Sequence, residues 1–164
     1  MNTGQSFLSI AALLLLSLTV LKMNNIILAN DTVMQDSKLG LLAVSIAAST
    51  IEDASKKAFD ANTADNGVTD VNLLTPPGSL GPGWWENPKT YNDFDDYNNY
   101  KTKITNMPSA EFDLACEVYY VIPSNPNKKV SYCTWHKKLS VTVTSKSMKD
   151  TIRMSTIYSY WYFR

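Results

Sequence analysis

The sequence predicts an α+β chain: one long N-terminal helix, apolar in its first half, packs by its second half on a small antiparallel sheet of three to five strands. Three observations carry this. Residues 5–59 hold no proline and a single interior glycine, Gly40, whereas all seven prolines lie beyond residue 75. Proline removes a helix N–H and clashes with the preceding turn, so the first third of the chain can be one helix and the remainder cannot. Residues 7–21 (FLSIAALLLLSLTVL) carry no charge. From residue 111 apolar and polar residues alternate with period two, the pattern of half-buried strands.

The helix comes first. Its opening turns are apolar on every side, with Phe7, Leu13, Leu14, Leu15, Leu16, Leu18 and Val20 as the bulk of the oil. From Asp31 charges appear, and Met34, Leu41, Val44, Ala48, Ile51 and Ala58 fall at spacings of three, four and seven, an amphipathic stripe. A helix that is oily all round and then one-sided needs two solvents, lipid or protein first and a folded domain after. At about 1.5 Å per residue, 55 positions span roughly 80 Å, more than a domain of this size needs for its core. Asn30, Asp31 and Thr32 would cap a fresh helix or form a polar turn of one continuous helix, and the absence of proline and glycine favours continuity. Ala47, Ala48 and Val44 would let the second half approach the strands closely.

The chain has 164 residues and no net charge. About 105 of them follow the helix, enough for one core. Residues 61–100 hold six acidic residues and one lysine, residues 101–164 ten basic and four acidic. This reads either as ordinary solvated surface or as complementary faces that steer like subunits together. The lysines form no run, so no nucleic-acid partner is expected.

Residues 61–108 are punctuated by Gly67, Pro76, Pro77, Gly78, Gly81, Pro82, Gly83 and Pro88, so regular elements there must be short. Trp84 and Trp85 either pack this loop down or form an exposed contact patch. In YNDFDDYNNY, residues 91–100, Asp93, Asp95 and Asp96 with three asparagines supply hard oxygen ligands close together, a tentative calcium site. It is not an EF-hand, because Tyr97 and Asn98 stand where a ligand and a glycine are needed. The alternative is a solvated acidic turn over buried Phe94, Tyr97 and Tyr100. Calcium is the one cofactor considered; otherwise none is expected.

Leu114, Cys116, Val118, Tyr120 and Ile122 form the oilier face of one strand. Past the turn at residues 123–127, Cys133, Trp135, Leu139, Val141 and Val143 share a parity, with Lys137 the exception. Folding these runs about the turn sets Cys116 opposite Cys133 and Leu114 opposite Trp135, so the two cysteines would form a disulfide across the hairpin, or else remain buried thiols. Residues 151–163 read as the last strand, with Ile152, Met154, Tyr158, Tyr160 and Tyr162 on one face and Ile157, Trp161 and Phe163 on the other. A strand greasy on both faces belongs centrally in the sheet or under a neighbouring subunit. No catalytic constellation appears: the single histidine, His136, lies mid-strand on the polar face, with no serine or cysteine placed beside it by sequence, and no enzyme is expected.

Three readings compete for the first thirty residues. A cleavable secretory signal would have a basic segment before the apolar run and small residues at the cleavage site; Ile27-Leu28-Ala29 is the best site available. A permanent anchor would extend the fifteen uncharged residues through Lys22, Asn24 and Asn25 toward the roughly 20 that a span needs. The third rests on a short polar leader ending in Gly4, an apolar run beginning within three residues, and uninterrupted continuation into an amphipathic helix. In this organisation the chain resembles type IV pilins and type II secretion pseudopilins. The resemblance implies cleavage between Gly4 and Gln5 by a prepilin peptidase, insertion of the apolar half-helix in the inner membrane with the domain extracytoplasmic, and later packing of that half-helix against like subunits or other pilin-like proteins in a filament. Gln5 and Ser9 stand where the family usually has Phe and Glu, which tilts the resemblance toward a minor, tip or divergent subunit. The expected parts are a leader (1–4), a membrane or filament-core half-helix (5–30), an amphipathic half-helix (31–60), an irregular connection (61–108) and the sheet (109–164). A single-pass anchored extracytoplasmic binding domain is the alternative.

Overall fold

The computed structural model describes residues 2–160. Helix α1 (Thr3–Ser55) is followed by one-turn 3-10 helices at Ala61–Thr63, Val71–Leu73, Pro77–Ser79 and Asp95–Tyr97, and by strands β1 (Lys101–Ile104), β2 (Phe112–Tyr120), β3 (His136–Thr144) and β4 (Ile152–Ser159). The strands form one antiparallel sheet in chain order. Met1 of the expected leader and Trp161, Tyr162 and Phe163 of the expected last strand lie outside the described residues.

α1 runs through Asn30, Asp31 and Thr32 without a break, as a stretch free of proline allows. By its contacts the chain nevertheless divides into two units, Met1–Lys38 and Leu39–Arg164. No described residue of the first unit is buried. In the second, α1 buries Leu39, Ala43, Ile46, Ala47 and Ala54 in one core with Phe112, Leu114, Cys116, Val118, Leu139, Val141 and Val143 of β2 and β3. The expected stripe is therefore rotated in part: Ile51 packs against the core and Ala47 is buried as expected, whereas Met34, Leu41 and Val44 are exposed, as is Ala48, and Ala58 lies beyond the helix. In LGLLAVSIAASTI almost every face is apolar, so periodicity alone does not choose one. Close approach to the sheet selects the face carrying Ala43 and Ala47, both fully buried.

β2 and β3 follow the expected alternation, Phe112, Leu114, Cys116, Val118 and Tyr120 inward on one and Lys137, Leu139, Val141 and Val143 on the other. Their register differs from the expected one: Cys116 faces Val141 and Leu114 faces Val143. The prolines at 123 and 126 close only a local bridge, Ile122 to Asn125, because proline offers no N–H to a ladder, and regular pairing resumes at His136. The register moves by an even number of residues, which leaves every side chain on its expected face. Among the described residues β4 lies at the sheet edge, with Ile152, Met154 and Tyr158 packed on the core face and Ile157 exposed on the other. β1, in the segment expected to be irregular, pairs with β2 as the other edge.

The chain leaving α1 is stitched to the later loop before it reaches the sheet. Ala58 N–H donates to Asn92 O (3.1 Å) and Phe94 N–H to Ala58 O (2.9 Å), a short parallel bridge. A second core of Phe59, Val68, Leu74, Leu80 and Tyr120 packs the loop against the sheet. The turn at Gly81 takes φ 135°, open to glycine, and a Cβ there would stand 3.7 Å from Asn98 O. Asn98 links loop and sheet, its Nδ2 donating to Leu80 O (2.9 Å) and its Oδ1 accepting from Val118 N–H (3.0 Å).

The rotated stripe is testable by paired substitutions. Ala47→Leu forces extra volume between helix and sheet and should destabilise the domain by about 1–3 kcal/mol, whereas Leu41→Ala should change stability by less than about 0.5 kcal/mol. Denaturant unfolding followed by tryptophan fluorescence on the detergent-solubilised chain reads both.

Candidate functional site

Two features have no counterpart in an ordinary small α+β domain: an apolar half-helix with nothing covering it, and a lysine buried among aspartates.

In the first, Phe7, Leu13, Leu14, Leu15, Leu16, Leu18 and Val20 are all exposed, Phe7 at 75% and Leu15 at 67%. By length and composition α1 is the one helix among the described residues able to cross a membrane. Three of its hydroxyls bond back within the helix: Ser9 donates to Gln5 O (3.0 Å), Thr19 to Leu15 O (2.6 Å) and Thr32 to Leu28 O (2.9 Å). Such bonds remove the main penalty of taking a hydroxyl into lipid. Gly4 and Gln5 lie in the first turns, and Gly4 has open space where a Cβ would stand, so packing does not require a glycine there.

In the second, strand parity turns Lys137 into the core, where its side chain is fully buried. Its Nζ donates to Asp60 Oδ2 (2.7 Å), Asp95 Oδ1 (2.5 Å) and Phe59 O (2.9 Å), and lies 4.7 Å from the Phe59 ring centroid and 5.4 Å from that of Tyr120. Three donors meet three acceptors, which is the condition for burying an ammonium without a large loss. Asp60 caps the 3-10 turn at Ala61–Thr63 and accepts from Asn62 N–H (3.1 Å), Thr75 N–H (3.0 Å) and the Thr75 hydroxyl (2.9 Å). Burial by itself raises its carboxyl, but the Lys137 charge and these donors outweigh that and hold it below the usual range.

Asp93 and Asp95 go the other way. Burial, then the Asp95 charge and hydrogen bond, pushes Asp93 up to about 8. Burial also raises Asp95 despite the Lys137 charge, and raises Asp96 despite the N–H groups of Asp93 and Asn92. Asp93 Oδ1 accepts from Asp95 N–H (2.9 Å) and Asp96 N–H (3.2 Å), and Asp96 Oδ2 accepts from Asn92 N–H (2.8 Å) and Asp93 N–H (3.1 Å).

The three aspartates proposed as calcium ligands are thus buried rather than solvated. Their oxygens face backbone N–H groups and an ammonium, and no group of three or more metal-binding side chains occurs among the described residues. At Asp95 a divalent cation would compete with the Lys137 ammonium for the carboxylate. The aromatics beneath lie as the alternative reading had them: Phe94 and Tyr97 are buried and Tyr100 is half-buried.

The expected disulfide is absent. Cys116 and Cys133 are free thiols, separated by the register that pairs Cys116 with Val141. Burial pushes the Cys116 thiol up to about 12, and Cys133 Sγ turns toward Thr75 O (3.7 Å). His136 stands opposite Ser159 on β4, its Nδ1 2.7 Å from the Ser159 hydroxyl, a pairing that could not be placed without the β3–β4 register. Trp84 and Trp85 do not pack the loop down. They are 92% and 68% exposed, edge to face with centroids 5.5 Å apart.

No known family, curated protein or solved structure matches this chain.

Lys137 was legible as the single charge on an oily strand face; its partners, distant in sequence, were not. Lys137→Ala leaves two carboxylates buried without their counter-charge and should destabilise the domain by about 3–5 kcal/mol, read by denaturant unfolding.

The pH dependence follows from the two signs. Asp93 has its folded value raised from 3.8 to about 8. Its contribution is therefore complete below pH 3.8, declines as pH rises, and is fully lost by about pH 8. Asp60, with a depressed folded value, contributes above its ordinary 3.8 and loses that contribution as pH falls through the folded value. Asp93→Asn should flatten the alkaline decline of stability between pH 4 and 8 and leave the acid limb in place, measured as unfolding midpoints across pH.

Proposed function

We propose that this chain is a membrane-inserted, pilin-like structural subunit, a minor or divergent member of a type IV pilus or type II secretion-like filament that it joins or primes. The observation that carries the reading is the uncovered apolar half of α1, continuous with a half that is built into the folded domain. Each fully buried Leu side chain gains roughly 2 kcal/mol relative to water, so a dozen such positions favour lipid or a bundle of like helices over solvent. Transfer from lipid into such a bundle is close to neutral by comparison and is directed by packing, which suits a segment that first anchors and later assembles. The glycine at position 4, which packing does not require, supports processing by a prepilin peptidase between Gly4 and Gln5, with the domain extracytoplasmic.

A second reading, a single-pass anchored extracytoplasmic binding domain, is favoured by the exposed Trp84 and Trp85. Mass spectrometry of the membrane-extracted protein separates the two. A mature N-terminus at Gln5, lost in Gly4→Leu, supports the filament subunit, and an intact Met1 supports the plain anchor. In either case Leu14→Arg with Leu16→Arg, at about 2.5–3.5 kcal/mol each for a charge at mid-membrane, should shift the protein from the membrane to the soluble fraction on fractionation. Retention in the membrane would remove the basis of both readings.

A further inference from the structure

The geometry points to an intramolecular amide: we propose that Lys137 Nζ and the Asp95 side-chain carboxyl condense, with loss of one water, into a covalent cross-link between β3 and the loop after α1. The two reacting groups are already in contact, Nζ 2.5 Å from Oδ1, on side chains 0% and 2% exposed. Such confinement replaces an encounter in solution with one fixed pair, an advantage that reaches effective molarities of about 10⁵ M or more in well-oriented systems. The surroundings exclude water, with the rings of Phe59 and Tyr120 beside the nitrogen, so the water released has a drive to leave and the hydrolytic reverse lacks its reagent.

The flanking carboxyls divide the proton work. Asp60, held as a carboxylate by the Lys137 charge and by the N–H groups of Asn62 and Thr75, lies 2.7 Å from Nζ. Asp93 is held beside Asp95, its Oδ1 accepting from the Asp95 N–H (2.9 Å), and burial with the neighbouring Asp95 charge raises its carboxyl so that it stays a proton donor near neutral pH. The lysine ammonium passes one proton to the Asp95 oxygen, and the amine attacks Asp95 Cγ. Its second proton goes to Asp60. Asp93 protonates the departing hydroxyl, the C–O bond breaks, and water leaves. A proton returning from Asp60 to Asp93 restores both. The balance is one ammonium and one carboxylate giving one amide and one water, with no oxidant, reductant or activating group required. Two buried charges disappear, and the one left, on Asp60, keeps its donors from Asn62 and Thr75, which removes much of the desolvation burden of the cluster.

The test is the mass of the full-length, detergent-extracted chain under denaturing conditions, referred to its observed N-terminus. The expected mass is one water below that of the sequence. Trypsin should fail to cut after Lys137 and should release a branched peptide joining residues 90–101 to 130–138 through Asp95. Asp95→Ala should show the full mass. Asp93→Asn, which keeps the size and much of the hydrogen bonding of the loop, should acquire the cross-link about 100-fold more slowly after refolding. A wild-type chain of full mass that is cut normally after Lys137 overturns the proposal, as does a branch mapped to Asp60. The wild-type measurement stands even if a variant fails to fold.

Discussion

The fold depends on bringing one buried ammonium to its acceptors. Lys137 sits at the point where the chain leaving the helix, the acidic loop and the third strand meet, and it contacts Phe59 and Asp60 from the first and Asp95 from the second. These segments are far apart in sequence and two of them have no ladder of their own. Their positions are set because a charge without its partners in this core would be costly. The long irregular connection can therefore be ordered without regular structure: its aspartates accept from backbone N–H groups that a helix or strand would otherwise have satisfied.

What could be read in the sequence follows the range of the interaction that decided it. The helix, its continuity and the alternation of β2 and β3 depend on residues a few positions apart, and these agree with the structure. Long-range choices were less accessible. The face of α1 that docks was decided by how closely Ala43 and Ala47 can approach the sheet, in a stretch where apolar residues occur all round. The hairpin register was decided by a connection with two prolines that does not continue the ladder, which parity cannot detect because an even shift preserves it. The acidic loop looked like a solvated or calcium-binding turn because its counter-charge lies on a strand 42 residues further along. Only the anomaly of Lys137 on an oily face hinted that it had a partner.

The two parts of α1 place different demands on the same backbone. Residues 39–55 are specified by side-chain size against a sheet. Residues 7–21 of the first unit are uncharged and exposed in this chain, and two of their hydroxyls, Ser9 and Thr19, bond back to the preceding turn. Nothing within the described chain constrains the shape of side chains in the first segment, whereas in the second an exchange among Leu, Ile and Val is felt by the packed sheet.

The bridge between Ala58 and the strand-like pair at Asn92 and Phe94 has a mechanical consequence. In a chain held by its N-terminal helix, tension meets the domain first at Leu39–Ala54, the part of the helix packed in the core. Only when that packing yields does it reach residues 56–60, where two parallel-bridge hydrogen bonds and the Asp60–Lys137 contact tie the chain to the loop and the third strand. The entrance to the domain is thus latched twice, once by apolar packing and once by polar bonds.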